Sequence, residues 1–465
     1  MSWSSIPLPF FYTVKSFVPS MNEKMLVVGG GGREHAIAAA LSRSGATIVA
    51  AMKNRNPGIA QICHDHYLTK ETDVERVVRY ALDQKVEMAF IGPEAPLEVG
   101  LADALEREGI GCVGPSRAAA RVETSKSFAR DVMERHGVPG NIRFRSFEDA
   151  SEAKRYLKDI DFEVAVKPVG LTGGKGVKIQ GEHLATKSEV AEYIDEIFAK
   201  RIGGAGVVLE ERLEGEEFTL QAFCDGKSVV PMPLVQDHKR AYEGDRGPNT
   251  GGMGAYSAGD HLLPFITADD KDRATHIVQR MVQALAEEGC AYQGVIYGQF
   301  MLTREGPKVI EFNARFGDPE AMNVLTVLRS DLVRICRAIC DGNLSQGLVD
   351  FQAKATVCKY VVPQGYGTEP LSGLPIRVDD DAIARLGAAC YYANVDEVGG
   401  RILTGTSRAV GVVGVADTIE DAERTCEAAL THVEGDAIFV RHDIGKRELV
   451  QRRVDHMRQV REGRA

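Results

Sequence analysis

The sequence predicts a multidomain protein of the α/β and α+β classes, on three observations. Its 465 residues are enough for about three domains at roughly 150 residues each. Residues 25–41 have the pattern of a buried strand, a glycine turn and a helix, which is typical of an α/β domain. Residues 297–315 have the pattern of two strands joined by a short turn, which indicates an antiparallel hairpin.

The composition excludes several classes of protein. The chain has 56 basic and 66 acidic residues and a formal net charge of -10, so we expect no nucleic-acid partner bound through a broad basic surface. No apolar run reaches the roughly 18 residues that a membrane span needs, so we expect no membrane partner. Nine cysteines without a CxxC pair predict reduced thiols and a cytoplasmic location.

The first 24 residues do not fit the rest of the chain. Their prolines and the absence of an early basic region argue against a signal peptide. We expect residues 1–24 to be an overextended start or a disordered tail, and we exclude them from the predicted fold.

Residues 25–122 form the first predicted domain, with an anion site at its glycine turn. The turn and the helix start after it, with Gly31, Gly32, Arg33 and Glu34, would offer backbone amides and one positive charge. A dinucleotide fold is the alternative, but the third glycine of G-x-G-x-x-G is missing. A second strand leads into Pro93 and Glu94 at a strand end where open α/β sheets bind ligands.

Residues 123–332 form the second predicted domain, which contains several basic and glycine-rich segments. Lys126 starts a helix, and the strand 164–168 carries one inward lysine. The hairpin that follows is rich in glycine and has a basic tip, which favours phosphate binding, although a hairpin without a ligand is the alternative. The candidate residues here are Lys126, Lys167, Gly173, Gly174 and Lys175.

Two further segments of this domain have polar residues near turns. Residues 207–222 carry Glu210, Leu213 and Glu217, which could hold a nucleoside or could simply be solvated. Residues 235–240 precede a long glycine-rich polar loop at 245–256, and loops of that length tend to be functional. The candidate residues in 235–256 are Asp237, Lys239, Arg240, Gly251, Gly252 and Gly254.

The most informative segment is residues 309–315. If it is a strand, Glu311, Asn313 and Arg315 share one face, which suits a divalent cation beside a phosphate clamp. A solvated edge strand is the alternative. Pairing of Thr303 with Pro307 would place Gln299 opposite Glu311 as a further oxygen ligand, but a slip of one residue would turn it away.

Residues 333–450 form the third predicted domain. We expect helices at 332–340 and 419–433 and strands at 353–362 and 408–415. No catalytic cluster is evident there, so we interpret it as a packing domain with some ligand contacts. Residues 451–465 are expected to be a charged helix or a frayed tail.

Together, these motifs resemble a known fold and family. Lys126, the VKP strand, the TGGKGV hairpin, the EERL turn and EFNARFGDPE resemble the ATP-grasp fold. With GGGGREHA, GPEAPL, QDHKR and GPNTGGMGAY, residues 25 to about 450 resemble the glycinamide ribonucleotide synthetase family. The chain departs from the usual family pattern at GGGG, at VKPVGLTGGKG and at EFNARF. The resemblance implies a Rossmann-like N-terminal domain, an ATP-grasp domain with a mobile lid at about 140–212, and a C-terminal α+β domain.

The resemblance also implies an activity in purine biosynthesis. ATP would phosphorylate glycine, and 5-phosphoribosylamine would attack the glycyl phosphate to give glycinamide ribonucleotide, ADP and phosphate. The implied enzyme uses Mg²⁺ or Mn²⁺ and is a monomer or dimer. Another ATP-grasp carboxylate-amine ligase, a purine-pathway carboxylase and a non-catalytic nucleotide sensor are the alternatives.

The resemblance assigns a role to each candidate residue. ATP would be bound by Lys126, Lys167, Gly173, Gly174, Lys175, Glu210, Leu213 and Glu217. The metal would be held by Glu311, Asn313 and Gln299, and Arg315, Lys175 and Asp237 would be catalytic. The other substrates would be bound by Gly31, Gly32, Arg33, Glu34, Pro93, Glu94, Asp237, Lys239, Arg240, Gly251, Gly252 and Gly254.

Overall fold

The structure is a computed structural model that describes residues 23–171, 176–204 and 206–464. Residues 1–22 of the predicted extension lie outside the described residues. So do three predicted ATP-binding residues, Gly173, Gly174 and Lys175.

The N-terminal region is a five-stranded parallel sheet with helices on both sides. Its strand order is β3-β2-β1-β4-β5, so the order reverses at β1. The glycine turn after β1 and the Pro93 loop after β4 therefore meet at the strand ends where such sheets bind ligands. Its elements are β1 Lys24–Val28, α1 Gly32–Arg43, β2 Thr47–Met52, α2 Pro57–Ile62, β3 Asp65–Leu68, α3 Val74–Asp83, β4 Met88–Ile91, α4 Glu94–Glu98, α5 Leu101–Arg107, β5 Gly111–Val113 and α6 Arg117–Thr124.

The next region carries a small sheet with its own apolar core, which we call the lid sheet. Helix α7, Lys126–Arg135, leads into it, and Ser125 caps that helix. The lid sheet is antiparallel with the order β6-β9-β7-β8, and its core is separate from the two large clusters of the molecule. Its elements are β6 Phe144–Phe147, α8 Ala150–Asp159, β7 Val164–Pro168, β8 Lys178–Ile179, α9 Lys187–Lys200 and β9 Val207–Glu211.

A second antiparallel sheet, the floor sheet, lies across the cavity from the lid sheet. Its order is β11-β10-β16-β17. Polar and apolar residues alternate along its strands, so one face is polar and the other, with Phe218, Phe300 and Phe312, enters the core. Its elements, with those that interrupt them, are β10 Glu216–Asp225, β11 Val229–Pro231, β12 Gln236–Asp237, β13 Arg240–Tyr242, β14 Arg246–Asn249, β15 Gly254–Ser257, α10 Ala268–Glu287, β16 Gln293–Thr303, β17 Gly306–Asn313 and α11 Glu320–Thr326.

The hairpin of β16 and β17 reaches the expected pairing by an unexpected route. Thr303 pairs with Gly306 rather than with Pro307. In a regular hairpin, this pairing would turn Gln299 away from Glu311. A β-bulge at Ile310 adds one residue and restores the register, so Gln299 lies opposite Glu311. The predicted pairing is confirmed, whereas the predicted turn is wrong.

The C-terminal region shares a sheet with the glycine-rich loop. Strands β12 and β15 of the glycine-rich segment join β18, β23 and β20 of the C-terminal region in one sheet. A second sheet has the order β21-β22-β19-β24. The elements of the C-terminal region are α12 Leu332–Cys340, a short 3-10 helix Gln346–Leu348, β18 Ala355–Pro363, β19 Pro375–Val378, α13 Asp380–Arg385, β20 Ala389–Tyr392, β21 Val395–Val398, β22 Arg401–Thr404, β23 Val410–Ala416, α14 Ile419–Leu430, β24 Val433–Glu434, β25 Ile438–Phe439 and α15 Arg447–Glu462.

The C-terminal tail is a docked helix rather than a frayed end. Met457 and Val460 of α15 are buried, and Arg453 and Arg461 form ion pairs with Glu216 and Asp270. Because these contacts satisfy charges on the floor sheet and on α10, the helix is part of the folded structure. Among the helices of the described ranges, none has the length and apolar character to cross a membrane.

Candidate functional site

A cavity of about 600 Å³ lies between the lid sheet and the floor sheet. All three regions of the chain contribute to its wall. One end is apolar and is lined by Met133, Ile142, Ala165, Ile179, Leu213 and Met301. The other end is charged and is lined by Arg33, Glu94, Glu123, Lys126, Lys167, Glu217, Asp237, Lys239, Glu311, Asn313, Arg315, Asp318, Glu320 and Arg408.

The polar face of the floor sheet forms the bottom of the charged end. Glu217 and Thr219 share a face of β10, and Thr219 pairs directly with Gln299, which in turn pairs with Glu311. Residues directly opposite each other in antiparallel strands share a face, so these side chains converge. Asp237 lies two residues after Val235, which forms a bridge with Thr219, and Asp237 lines the same cavity.

Glu311 is a carboxylate surrounded by cations without a direct partner. Burial would raise its pKa, but the charges of Lys239, Lys126 and Lys167 outweigh burial and lower the pKa below its ordinary value. Within residues 23–171, 176–204 and 206–464, no group forms a hydrogen bond or an ion pair with the Glu311 carboxylate. An ionised oxygen ligand that is left unpaired fits a divalent cation.

Gln299 has other partners than a metal. Its side-chain nitrogen donates to Glu217 at 2.9 Å, and its side-chain oxygen accepts from Thr219 at 3.1 Å and from the hydroxyl of Tyr297. The residue is fully buried beneath the cavity. Its oxygen therefore has hydrogen-bond donors in this structure, its nitrogen positions Glu217, and metal ligation by Gln299 stays a prediction.

Asn313 and Arg315 lie together, but the strand ends between them. The sequence suggested that Arg315 shares a strand face with Asn313. Strand β17 ends at Asn313, so strand periodicity does not place Arg315 on that face. Arg315 instead reaches back, donating to the Asn313 side-chain oxygen at 3.2 Å and to Glu123 at 2.8 Å, and lying 3.4 Å from Glu94. Arg315 thus joins the floor sheet to the N-terminal region.

Glu210 lines the cavity, and its carboxylate is paired with two basic side chains. It is 2% exposed and receives two hydrogen bonds from Arg130, at 2.8 and 3.0 Å, while Lys167 lies 2.6 Å away. Burial opposes its ionisation, but Arg130 and Lys167 hold the pKa at about 2. Glu210 is therefore a paired carboxylate in the wall of the cavity, and its assignment to ATP stays a prediction.

The β-bulge also ties the lid sheet to the floor. Lys167 donates to the backbone oxygen of Ile310 at 3.0 Å, and Arg130 donates to that of Val309 at 2.9 Å. Because β17 is the edge strand of the floor sheet, its outward carbonyl groups are free to accept these hydrogen bonds.

Three other predicted ATP-binding residues border the cavity. Lys126 donates to the backbone oxygen of Gly170 at 3.1 Å, and burial lowers its pKa. Glu217 lies 2.9 Å from Lys239, and Leu213 follows β9 at the apolar end. An apolar slot that opens onto several lysines suits a nucleotide with its phosphates at the charged end.

At the N-terminal glycine turn, only part of the predicted set reaches the cavity. Arg33 lines it and donates to the backbone oxygen of Phe316 at 3.0 Å. Glu34 accepts from the Gly31 amide at 2.7 Å and from Arg33 at 2.6 Å, so it holds the turn together. A side chain at Gly32 would collide with Tyr360, which makes it a packing glycine.

The loop after β4 contributes Glu94 and not its neighbour. Glu94 lines the cavity, and although burial opposes ionisation, Arg315 and Arg33 lower its pKa to about 2. Pro93 caps helix α4 and does not line the cavity.

The glycine-rich loop is likewise divided. Asp237, Lys239 and Gly251 line the cavity. Arg240, Gly252 and Gly254 are not among the lining residues, and their role in substrate binding stays a prediction. Arg240 donates to the backbone oxygen of Gly247 at 2.9 Å and pairs with Glu182 of the lid region. At Gly252 an added Cβ would lie 2.8 Å from Pro319, and at Gly254 it would strike the backbone of Cys358.

The C-terminal region supplies an arginine that the sequence analysis missed. Arg408 lines the cavity and donates to the backbone oxygens of Gly251 at 2.6 Å and Asp318 at 2.7 Å. It also lies over the ring of Tyr360. A cavity-lining residue from this region agrees with its interpretation as a packing domain with some ligand contacts, but nothing in the local sequence marks Arg408.

Other residues of the site were missed although the sequence carried a signal. Thr219 and Tyr297 stand at alternate positions in strands with apolar neighbours, so the period of two could have placed them on the polar face. Glu320 was in the quoted EFNARFGDPE motif but received no role.

Comparison with known proteins identifies the family. Three models match the chain in order: the phosphoribosylglycinamide synthetase N domain at residues 23–123, its ATP-grasp (A) domain at 124–321 and its C domain at 356–447. The chain belongs to the phosphoribosylglycinamide synthetase family. The predicted family and the predicted ATP-grasp fold class are thereby confirmed.

Individual members of the phosphoribosylglycinamide synthetase family are similar over nearly the whole chain. The phosphoribosylamine–glycine ligase of Methanothermobacter thermautotrophicus is 53% identical, over 94% of this chain and 100% of the relative. That of Pyrococcus abyssi is 50% identical, over 94% and 98%. The crystal structure of the Thermotoga maritima ligase aligns with a TM-score of 0.78 at 27% identity, covering 90% of this chain and 99% of that one.

Proposed function

We propose that the chain ligates glycine to 5-phosphoribosylamine at the expense of ATP, giving glycinamide ribonucleotide, ADP and phosphate in purine biosynthesis. The observation that carries this proposal is the unpaired Glu311 carboxylate among three lysines, at the charged end of a cavity with an apolar slot. The similarity to ligases of that name over 94% of the chain supports the choice of substrates.

Each part of the site has a task in this reaction. The apolar slot holds the adenine, and Lys126, Lys167 and Lys239 neutralise the phosphates. A glycine carboxylate oxygen attacks the γ-phosphorus and ADP leaves; the amine then attacks the carbonyl carbon and phosphate leaves. Phosphoryl transfer needs positioning and charge neutralisation more than a protein nucleophile, which fits a site without one.

We assign the divalent cation, Mg²⁺ or Mn²⁺, to Glu311 and Asn313. Such ions are usually held by one or two carboxylates, with phosphate oxygens completing the shell. Within the described residues no group of three or more His, Cys, Asp or Glu side chains is placed to hold a metal by itself, so the phosphates would supply the remaining ligands. When bound, the cation neutralises charge on the transferred phosphoryl group.

The amine substrate is assigned to the side of the cavity that faces the N-terminal region. Arg33, Glu94 and Arg315 meet there at the strand ends of the parallel sheet. We also propose a cytoplasmic location, because all nine cysteines are free thiols in the structure.

The test is an ADP-release assay with glycine, with and without phosphoribosylamine generated in the reaction. We expect full turnover only with both substrates and a divalent cation, and loss of turnover on chelation. Release with another carboxylic acid but not with glycine would overturn the choice of substrate.

A further inference from the structure

Helix α15 packs against β10 and β16 of the floor sheet, on the side away from the cavity. Its residues Met457 and Val460 belong to the same apolar cluster as Phe218 and Phe300 of the core face. The helix begins at residue 447, where the match to the C domain of the family ends. The structure describes all of residues 447–462, and none of them lines the cavity. The polar contacts of α15 therefore do not serve direct contact with a substrate.

These polar contacts converge on two carboxylates. Arg453 donates a hydrogen bond to Asp245 and forms an ion pair with Glu216 at 3.3 Å. Arg452 also donates to Asp245, at 2.7 Å, and His456 Nδ1 lies 2.6 Å from a Glu216 oxygen. The side chain of Glu216 is only 4% exposed, so loss of its cations would leave a charge buried. Arg453 thus bridges the two carboxylates.

Asp245 passes the contact on to the segment before the glycine-rich loop. Its backbone has a φ angle of 57°, in the left-handed region that few residues other than glycine adopt. Such conformations persist where the surrounding contacts fix them. The Oδ2 atom of Asp245 faces α15, while its Oδ1 atom lies 3.4 Å from His238 Nδ1 and 3.0 Å from Arg441. Asp245 therefore connects α15 with His238.

Glu216 and His238 each stand next to a residue of the site. Successive side chains of an extended backbone point to opposite sides. Accordingly, Glu217 and Lys239 line the cavity, whereas Glu216 and His238 do not. Lys239 donates to Glu217 at 2.9 Å, so the two cavity-lining residues form a pair. Helix α15 is thus connected, from behind, to the sequence neighbour of each member of that pair.

We propose that α15 positions the Glu217–Lys239 pair, acting through Glu216 on one strand and through Asp245 and His238 on the other. The inference rests on the proposed function, in which Lys239 neutralises charge on the phosphates. A lysine is a flexible point charge, so its place depends on what holds its backbone and its tip. Arg453 is the central positioning residue, because it contacts both branches.

The test measures ADP release with glycine and phosphoribosylamine, and separately the Kd for ATP. In Arg453→Gln we expect kcat to fall about 10-fold, because a small displacement of a charged group weakens catalysis. The Kd for ATP should stay within about threefold, because Lys126 and Lys167 are held by the backbone of Gly170 and Ile310 instead. A merely structural Arg453 would lower the melting temperature without separating kcat from the Kd for ATP.

Arg461→Gln is the matched control on the same helix. Arg461 donates to Asp270 of α10 at 2.8 Å, and the side chain of Asp270 is 10% exposed. Its loss loosens α15 without touching Glu216 or Asp245, so kcat should stay within about twofold of the wild type. Arg453→Lys keeps the charge but lacks the fork that reaches two carboxylates, and should lower kcat about threefold.

The outcomes separate this inference from the proposed function. A folded Arg453→Gln with the kcat of the wild type refutes the positioning role, and so does an equal loss of kcat in Arg461→Gln. If Arg453→Gln does not fold, Arg453→Lys decides, and a kcat equal to that of Arg461→Gln then refutes the inference. In these cases the wild type still uses glycine, so the proposed function stands. If the wild type releases no ADP with glycine and phosphoribosylamine, the proposed function fails and the inference fails with it.

Discussion

Glu210 on the lid sheet and Glu311 on the floor sheet both line the cavity, and the charge of Lys167 favours ionisation of both. Glu210 receives two hydrogen bonds from Arg130 and lies 2.6 Å from Lys167. Glu311, in contrast, has no direct partner among the described residues. The difference indicates their tasks: a carboxylate whose oxygens are all used holds the protein together, and one left open awaits a ligand.

The same contrast holds for the positive charges. Arg130 is 3% exposed and donates hydrogen bonds to Glu210 and to the backbone of β17. Lys126 makes one hydrogen bond to a backbone oxygen and otherwise borders the cavity. Lysine is a mobile point charge, so it can turn to a phosphate without breaking a rigid network.

The largest expected effect is at the open carboxylate. Glu311→Gln should lower ADP release at least about 1,000-fold, because it removes a charge that acts in the transition state, while the melting temperature changes little. Glu305→Gln is the matched control, since that glutamate lies at the exposed turn of the same hairpin. Near-normal turnover of Glu311→Gln at low Mg²⁺ would contradict the metal assignment.

Removal of the paired carboxylate should instead cost stability. Glu210→Gln leaves Arg130 and Lys167 buried without their counter-ion, and loss of one partner from a buried ion pair costs about 3–5 kcal/mol. Hydrogen exchange of the amides of β7 and β9 measures the opening of the lid sheet. Glu211→Gln is the control, because its pair with Arg143 lies on the exposed side and should matter by less than about 1 kcal/mol.

The stability of the lid sheet should also depend on pH through the ionisation of Glu210. The pKa of Glu210, about 2, lies below the ordinary 4.5, so its contribution is present above pH 4.5 and is lost as pH falls toward 2. At 1.36 kcal/mol per pH unit, the loss amounts to about 3 kcal/mol. Exchange measured across that range should show this loss in the wild type. An equal acid dependence in Glu210→Gln would contradict the assignment.

The comparison also shows what the sequence could and could not predict. The polar face of the floor sheet follows from a period of two, so the convergence of Glu311 and Asn313 was predictable. The pairing of Gln299 with Glu311 was predicted correctly, but the turn that leads to it was not. The observed turn gives this pairing only with a bulge at Ile310, and the residues around Ile310 carry no clear signal of a bulge. Local periodicity sets faces, and turn geometry sets register only when the strands are regular.

The pairing of charges was not predictable for another reason. Arg130 and Glu210 are 80 residues apart, and nothing near Glu210 distinguishes it from the less buried Glu211. Which of two adjacent carboxylates points inward depends on which helix packs against the strand. For this reason the sequence motif located Glu210 at the cavity but did not predict its pairing with Arg130 and Lys167.

Arg408 provides the smallest expected effect, at the part of the wall that comes from the C-terminal region. Its guanidinium group donates to the backbone oxygens of Gly251, Gly252 and Asp318 and so fixes the glycine-rich loop against the turn before α11. A lysine keeps the charge but lacks the planar fork. Arg408→Lys should therefore lower kcat/KM for the amine substrate about 10-fold, the size of one lost hydrogen bond.

Steady-state kinetics with phosphoribosylamine generated in the reaction checks this expectation. Arg424→Lys, on the exposed side of α14, is the control and should behave as the wild type. If Arg408 only stabilises the fold, the melting temperature falls while kcat/KM is unchanged. A loss of kcat/KM at an unchanged melting temperature means that the C-terminal region completes the cavity. Arg408 then serves the wall from that region as Glu210 serves the lid sheet and Glu311 the floor sheet.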